Sequence, residues 1–102
     1  MRVISVRRLK DFWVSHASAE VPLRAWYQVT TRATWRSLED LRQTYPSADL
    51  VERFTVFNIG GNDFRLIARV EYQRQEIYIR HVLTHAEYDK EDWKRDPWFQ
   101  RR

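Results

Sequence analysis

The chain has 102 residues, of which 43% are aliphatic or aromatic, with five Trp, five Phe and five Tyr. That is enough for one buried core and too little for two domains, and it excludes a disordered tail. Eighteen Lys and Arg against fourteen Asp and Glu give a formal charge of +4, and the absence of cysteine excludes disulfides, thiolate metal sites and thiol nucleophiles.

The positive charge comes mainly from arginine, whose planar fork suits phosphate, so a polyanion or an acidic protein partner is expected. Arg2, Arg7, Arg8 and Lys10 interrupt any apolar signal core, and no stretch has the length of a membrane span. The expectation is a soluble, unsecreted, cytoplasmic protein with no membrane partner.

Val3-Ile4-Ser5 is short and β-prone. Leu9, Phe12, Trp13 and His16 then fall at i, i+3, i+4 and i+7, the buried face of a first helix. A second helix is predicted from Val21-Pro22, because proline is tolerated in a first turn, with Leu23, Trp26, Tyr27 and Thr30 as its stripe. A third begins near Ser37, with acidic Glu39 and Asp40 at its start and Leu38, Leu41 and Tyr45 inward, and Pro46 ends it. Pro46-Ser47-Ala48-Asp49 reads as a turn.

From Phe54 the period changes to two. Phe54 to Ile59, Phe64 to Tyr72 and Ile77 to Leu83 read as an antiparallel meander, joined by Gly60-Gly61-Asn62 and Gln73-Arg74-Gln75. Gly60-Gly61 is a hairpin turn; no Lys-Ser or Lys-Thr follows to make a phosphate loop. Phe64, Leu66, Ala68, Val70 and Tyr72 should lie under the helices, with Arg65, Ile67 and Arg69 opposite. On the last strand Ile77, Ile79, His81 and Leu83 share one parity and Tyr78, Arg80, Val82 and Thr84 the other. Arginines on the second face would form a basic surface. Trp93, Trp98 and Phe99 either pack back on the core or await a partner.

Among three histidines, His16 belongs to a packed helix face and His81 to a strand interior. His85, at the strand exit beside Thr84, Glu87, Tyr88, Asp89 and Lys90, is best placed for proton transfer. The bland reading of that segment is a short solvated helix capped by Thr84. His81 and His85 lie too far apart along a strand for a zinc pair, and no serine elbow suggests acyl transfer.

Two segments carry a resemblance: Val56-Phe57-Asn58-Ile59-Gly60-Gly61-Asn62-Asp63-Phe64-Arg65-Leu66-Ile67, and Tyr78-Ile79-Arg80-His81-Val82-Leu83-Thr84-His85-Ala86-Glu87-Tyr88-Asp89. With Tyr45-Pro46-Ser47-Ala48-Asp49 before them, they resemble the HigB toxins of the RelE/ParE superfamily. The resemblance implies an α+β, RelE-like domain over residues 1–102, with N-terminal helices packed on an antiparallel sheet. It implies a toxin that cuts messenger RNA in the ribosomal A site, with no metal or cofactor, through attack of the RNA 2′-hydroxyl on the adjacent phosphate. It also implies a HigA-type helix-turn-helix antitoxin, through which alone operator DNA would be met. On the same ground Arg65 would hold the scissile phosphate, with Arg80 second, His85 as acid or base, and Tyr88 on the phosphate or a base. Arg69 and Lys90 would hold flanking phosphates. Some related folds block gyrase without cutting RNA, so a binding toxin of gyrase or the ribosome is the alternative.

Overall fold

The computed structural model describes residues 1–99. Its elements in chain order are β1 (Arg2–Ile4), α1 (Arg7–Ser15), a 3₁₀ turn (Ala17–Ala19), α2 (Glu20–Arg32), α3 (Leu38–Thr44), β2 (Asp49–Val51), β3 (Phe54–Ile59), β4 (Phe64–Glu71), β5 (Glu76–Thr84), α4 (His85–Asp89) and a second 3₁₀ turn (Asp92–Arg95). Helices therefore precede the meander, as the change of period indicates. No helix among the described residues is long and apolar enough to cross a membrane.

The sheet order is β1-β5-β4-β3-β2. β2 to β5 pair antiparallel, but β1 runs parallel to β5, with Val3 opposite Ile77. The sheet is mixed, which corrects the all-antiparallel expectation. A parallel neighbour needs a long crossover, and the whole chain between β1 and β5 supplies it. β2 is a second departure: Asp49, read as part of a turn, opens a three-residue edge strand whose Leu50 remains exposed.

Local chemistry sets the helix ends. Ser37 caps α3, its hydroxyl accepting from the Asp40 N–H at 3.2 Å, and Asp40 accepts in turn from the Arg36 N–H at 3.0 Å. Leu9, Leu23, Trp26 and Leu41 project from the helices onto Phe57, Ile59, Leu66, Ala68, Ile77 and Ile79. Tyr27 departs from its expected place and is 36% exposed at the rim of α2. His16 packs as expected: its ring stacks on Phe12 at 4.2 Å and meets the edge of Phe64.

The β3–β4 hairpin uses both glycines of the chain, Gly60 at φ 61° and Gly61 at φ 69°. A Cβ at Gly61 would touch nothing within 4 Å, so alanine there meets only backbone strain. Gly61→Ala should lower stability by about 1 kcal/mol. Thermal denaturation would read that as a midpoint drop of about 4–8 °C.

The second face of the sheet is not an open basic floor. Phe54, Val56 and Ile67 form a second apolar cluster there with Trp93 and Phe99, and Val51, Leu83 and Tyr88 pack against it. The segment after α4 folds back over the sheet because its aromatic residues have that face to bury against.

Candidate active site

One irregularity decides what this second face presents. Ile67 pairs with His81 and Ala68 with Ile79, so Arg80 is an extra residue, a β-bulge in β5. The bulge reverses the alternation. Ile77 and Ile79 pack with the helices, Val82 joins them, and Leu83 lies in the opposite cluster. The single parity assigned to Ile77, Ile79, His81 and Leu83 is therefore wrong beyond Ile79. Arg80 and His81, neighbours in sequence, both reach the same carboxylate.

That carboxylate is Asp96, just beyond the second 3₁₀ turn, with a side chain only 3% exposed. Arg80 grips it with Nε on Oδ2 and Nη2 on Oδ1, both at 2.9 Å. His81 Nε2 lies 2.9 Å from Oδ2, and the Trp98 N–H donates to Oδ1 at 2.9 Å. The Arg80 guanidinium also lies 3.8 Å from the centre of the Trp98 ring. Burial would raise the Asp96 carboxyl, but the Arg80 fork, the Trp98 N–H and His81 overcome it and hold it below the usual carboxylate range. His81 is pulled below the ordinary histidine value, first by burial and further by Arg80 and Arg8, with Asp96 opposing.

Both shifts have one consequence for stability. A carboxyl depressed by folding stabilises above its unfolded value and loses that contribution as pH falls through its folded value. A histidine that folding keeps neutral likewise costs stability once acid protonates the unfolded chain. Denaturation midpoints should therefore fall as pH drops below 6.5, through His81, and again below 3.8, through Asp96. Asp96→Ala, leaving the Arg80 guanidinium without its anion and His81 without its acceptor, should cost about 2–3 kcal/mol at pH 7 and remove the fall below 3.8.

Arg65 lies two residues along β4 from Ile67, opposite Leu83, and is 8% exposed. Its Nη1 donates to the carbonyls of Asn62 and Phe64, each at 3.1 Å, and Nη2 to Asn62 Oδ1 at 2.7 Å. The guanidinium carbon is 5.5 Å from the centre of the Tyr88 ring. Tyr88 stacks on Trp93 at 5.2 Å with the ring planes 9° apart, and the Trp93 indole N–H donates to the Tyr88 carbonyl at 3.0 Å. Burial pushes the Tyr88 hydroxyl up, Arg65 opposing, so it stays protonated at neutral pH and can donate.

α4 begins with a capping box. Thr84 Oγ1 accepts from the Glu87 N–H at 3.1 Å, and Glu87 Oε1 accepts from the Thr84 N–H at 2.9 Å. The short capped helix expected as the plain reading of this segment is thus present, and it carries His85 and Tyr88. His85 is half-exposed and pairs through Nδ1 with Asp89 at 3.0 Å. Lys90 follows the helix and lines a cleft of about 340 Å³ with His81, Leu83, Glu87, Asp92 and Trp93. A second cleft of about 330 Å³, lined by Arg8, Asp11, Phe12, Arg80, His81, Val82 and Leu83, adjoins the first at His81 and Leu83.

The structure thus joins Arg65 to Tyr88 and puts Lys90 in the cleft beside Trp93, on which Tyr88 stacks, while Arg80 stands lower on β5 with His81. Arg69 is farther away, opposite Tyr78, bonded to Glu71 at 2.8 Å in a separate cleft with Arg74 and Trp98. Four residues of strand put it about 13 Å from Arg65. Sequence reasoning missed Asp96 and the role of His81. An aspartate amid Trp93, Trp98 and Phe99 was the available signal, since a tail that rich in aromatics packs down and carries its charge with it.

Residues 19–91 match the profile of a family described as HigB_toxin, RelE-like toxic component of a toxin-antitoxin system. The mRNA interferase toxin HigB of Escherichia coli (strain K12) is 34% identical over 92 residues, covering 87% of this chain and 88% of that protein. The mRNA interferase HigB of Shigella flexneri matches to the same extent. That of Escherichia coli O6:H1 is 26% identical over 93 residues, covering 88% and 90%. The matched span holds Arg65, Arg80, His81, His85 and Tyr88, while Asp96 and Trp98 lie beyond the profile. On a profile match across most of its length and relatives at this identity, the chain belongs to the HigB toxin family.

Proposed function

We propose that this chain is the toxin of a toxin-antitoxin pair and an endoribonuclease that cuts messenger RNA on the ribosome. The observation that carries the reading is the Arg65 guanidinium set against the Tyr88 ring at the strand exit, within the span shared with proteins named mRNA interferases. The domain is RelE-like and occupies residues 1–102. Its partner is a HigA-type helix-turn-helix antitoxin, and operator DNA is reached only through that partner. It works in the cytoplasm.

RNA supplies its own nucleophile, so the reaction needs no metal or cofactor. The 2′-oxygen forms a bond to phosphorus, the bond from phosphorus to the 5′-oxygen breaks, and a cyclic phosphate and a 5′-hydroxyl remain. Negative charge grows on the phosphoryl oxygens, where Arg65 and Arg80 stabilise it and the protonated Tyr88 hydroxyl donates. His85 exchanges the proton, and Lys90 holds a neighbouring phosphate. Engagement of phosphate draws Arg65 donors away from Asn62 and Arg80 donors away from Asp96.

Asp96 neutralises Arg80 in the structure, which favours one competing reading, a toxin that blocks gyrase or the ribosome without chemistry. Northern blots of several translated messages after induction separate the two. Fragments ending inside reading frames support the nuclease; intact messages with arrested growth overturn it.

A further inference from the structure

We propose that His81, held by Asp96, is the general base that takes the proton from the attacking 2′-hydroxyl. The inference rests on the nuclease reading above and adds to it a catalytic residue and a positioning residue.

The geometry argues for it in three steps. First, the bulge at Arg80 turns His81 off the helix-facing parity and towards the face that carries Arg65. Ile67 is opposite His81 and Arg65 opposite Leu83, so Arg65 and His81 are diagonal neighbours, about 7–8 Å apart in the backbone. Second, two clefts, one beside α4 and one beside α1, meet at His81, whose side chain is 27% exposed. Third, an ionised carboxylate can only accept a hydrogen bond. The 2.9 Å contact with Asp96 therefore fixes the proton of neutral His81 on Nε2 and leaves a lone pair on Nδ1.

A base must be unprotonated before it acts. Burial, helped by Arg80 and Arg8, holds His81 below the ordinary histidine value, and Asp96 keeps it from falling further while stabilising the imidazolium once formed. The charged groups around it are Asp96 from the C-terminal segment, Arg80 on β5, Arg8 and Asp11 on α1, Glu87 on α4, and Lys90 and Asp92 after it. His85, half-exposed and tied to Asp89, then serves as the acid. In the balanced step, the 2′-hydroxyl proton moves to His81 Nδ1 as oxygen bonds to phosphorus. The 5′-oxygen leaves with a proton from His85.

The test is single-turnover cleavage of a defined message on purified ribosomes between pH 5.5 and 8.5, with ribosome binding and melting measured on the same proteins. His81→Gln keeps a donor for Asp96 but cannot accept the proton, and should slow cleavage by about 10²-fold or more with binding unchanged. Asp96→Asn removes the charge that favours the imidazolium, so the acid limb of its rate profile should move to lower pH while the plateau rate falls. If His81→Gln folds badly, the Asp96→Asn profile still decides. Wild-type rates in His81→Gln, or an unmoved acid limb in Asp96→Asn, would overturn the assignment while leaving the nuclease intact. Absence of cleavage by the wild-type chain would overturn both.

Discussion

Arg65→Ala should lower the cleavage rate on programmed ribosomes by about 10²–10³-fold, the cost of removing one preorganised donor from a site of developing charge. The same change opens the hairpin clamp, because the guanidinium spends three hydrogen bonds on Asn62 and Phe64. A stability loss of about 1–2 kcal/mol should accompany it. Arg65→Lys separates the effects, since lysine keeps the charge without the planar fork. It should recover part of the rate and little of the clamp. An alanine variant that melts lower but cuts at the wild-type rate would make Arg65 a structural residue only.

Trp93→Ala should be the most destabilising single change on the second face, at about 3–5 kcal/mol. Trp93 is 4% exposed, stacks on Tyr88, and meets Phe99 at 5.4 Å and Phe54 at 6.5 Å. Alanine would leave a cavity between the C-terminal segment and the sheet and release the Tyr88 ring. The melting midpoint should fall by more than about 10 °C, and activity should be lost below that midpoint as Tyr88 loses its support. A drop of only two or three degrees would mean that the C-terminal segment is not part of the folded core.

Much of this fold is legible in the sequence because local signals and global arrangement agree. The i, i+3, i+4 spacing of Leu9, Phe12 and Trp13, the Ser37 cap and the paired glycines each act within a few residues. The β4 faces were readable because Phe64, Leu66 and Ala68 all lie under the helices. Three features escaped, for different physical reasons. The parallel β1–β5 pair joins residues more than seventy positions apart, and strand direction leaves no mark in composition. The bulge is silent because apolar residues stand on both parities of β5, so Ile79 and Val82 fit either phase. Asp96 meets Arg80 and His81 across fifteen or sixteen residues, in a tail too short to suggest an element. Of the candidate residues, Arg65 and Tyr88 come together, whereas Arg69 stands apart.

The central claim is that this chain cuts translated messages through Arg65. Mapping the 5′ ends of cellular RNA after induction in growing bacteria, beside an Arg65→Ala control, tests it most directly. The account predicts new ends within reading frames that disappear in the control, and growth arrest with unbroken messages would contradict it.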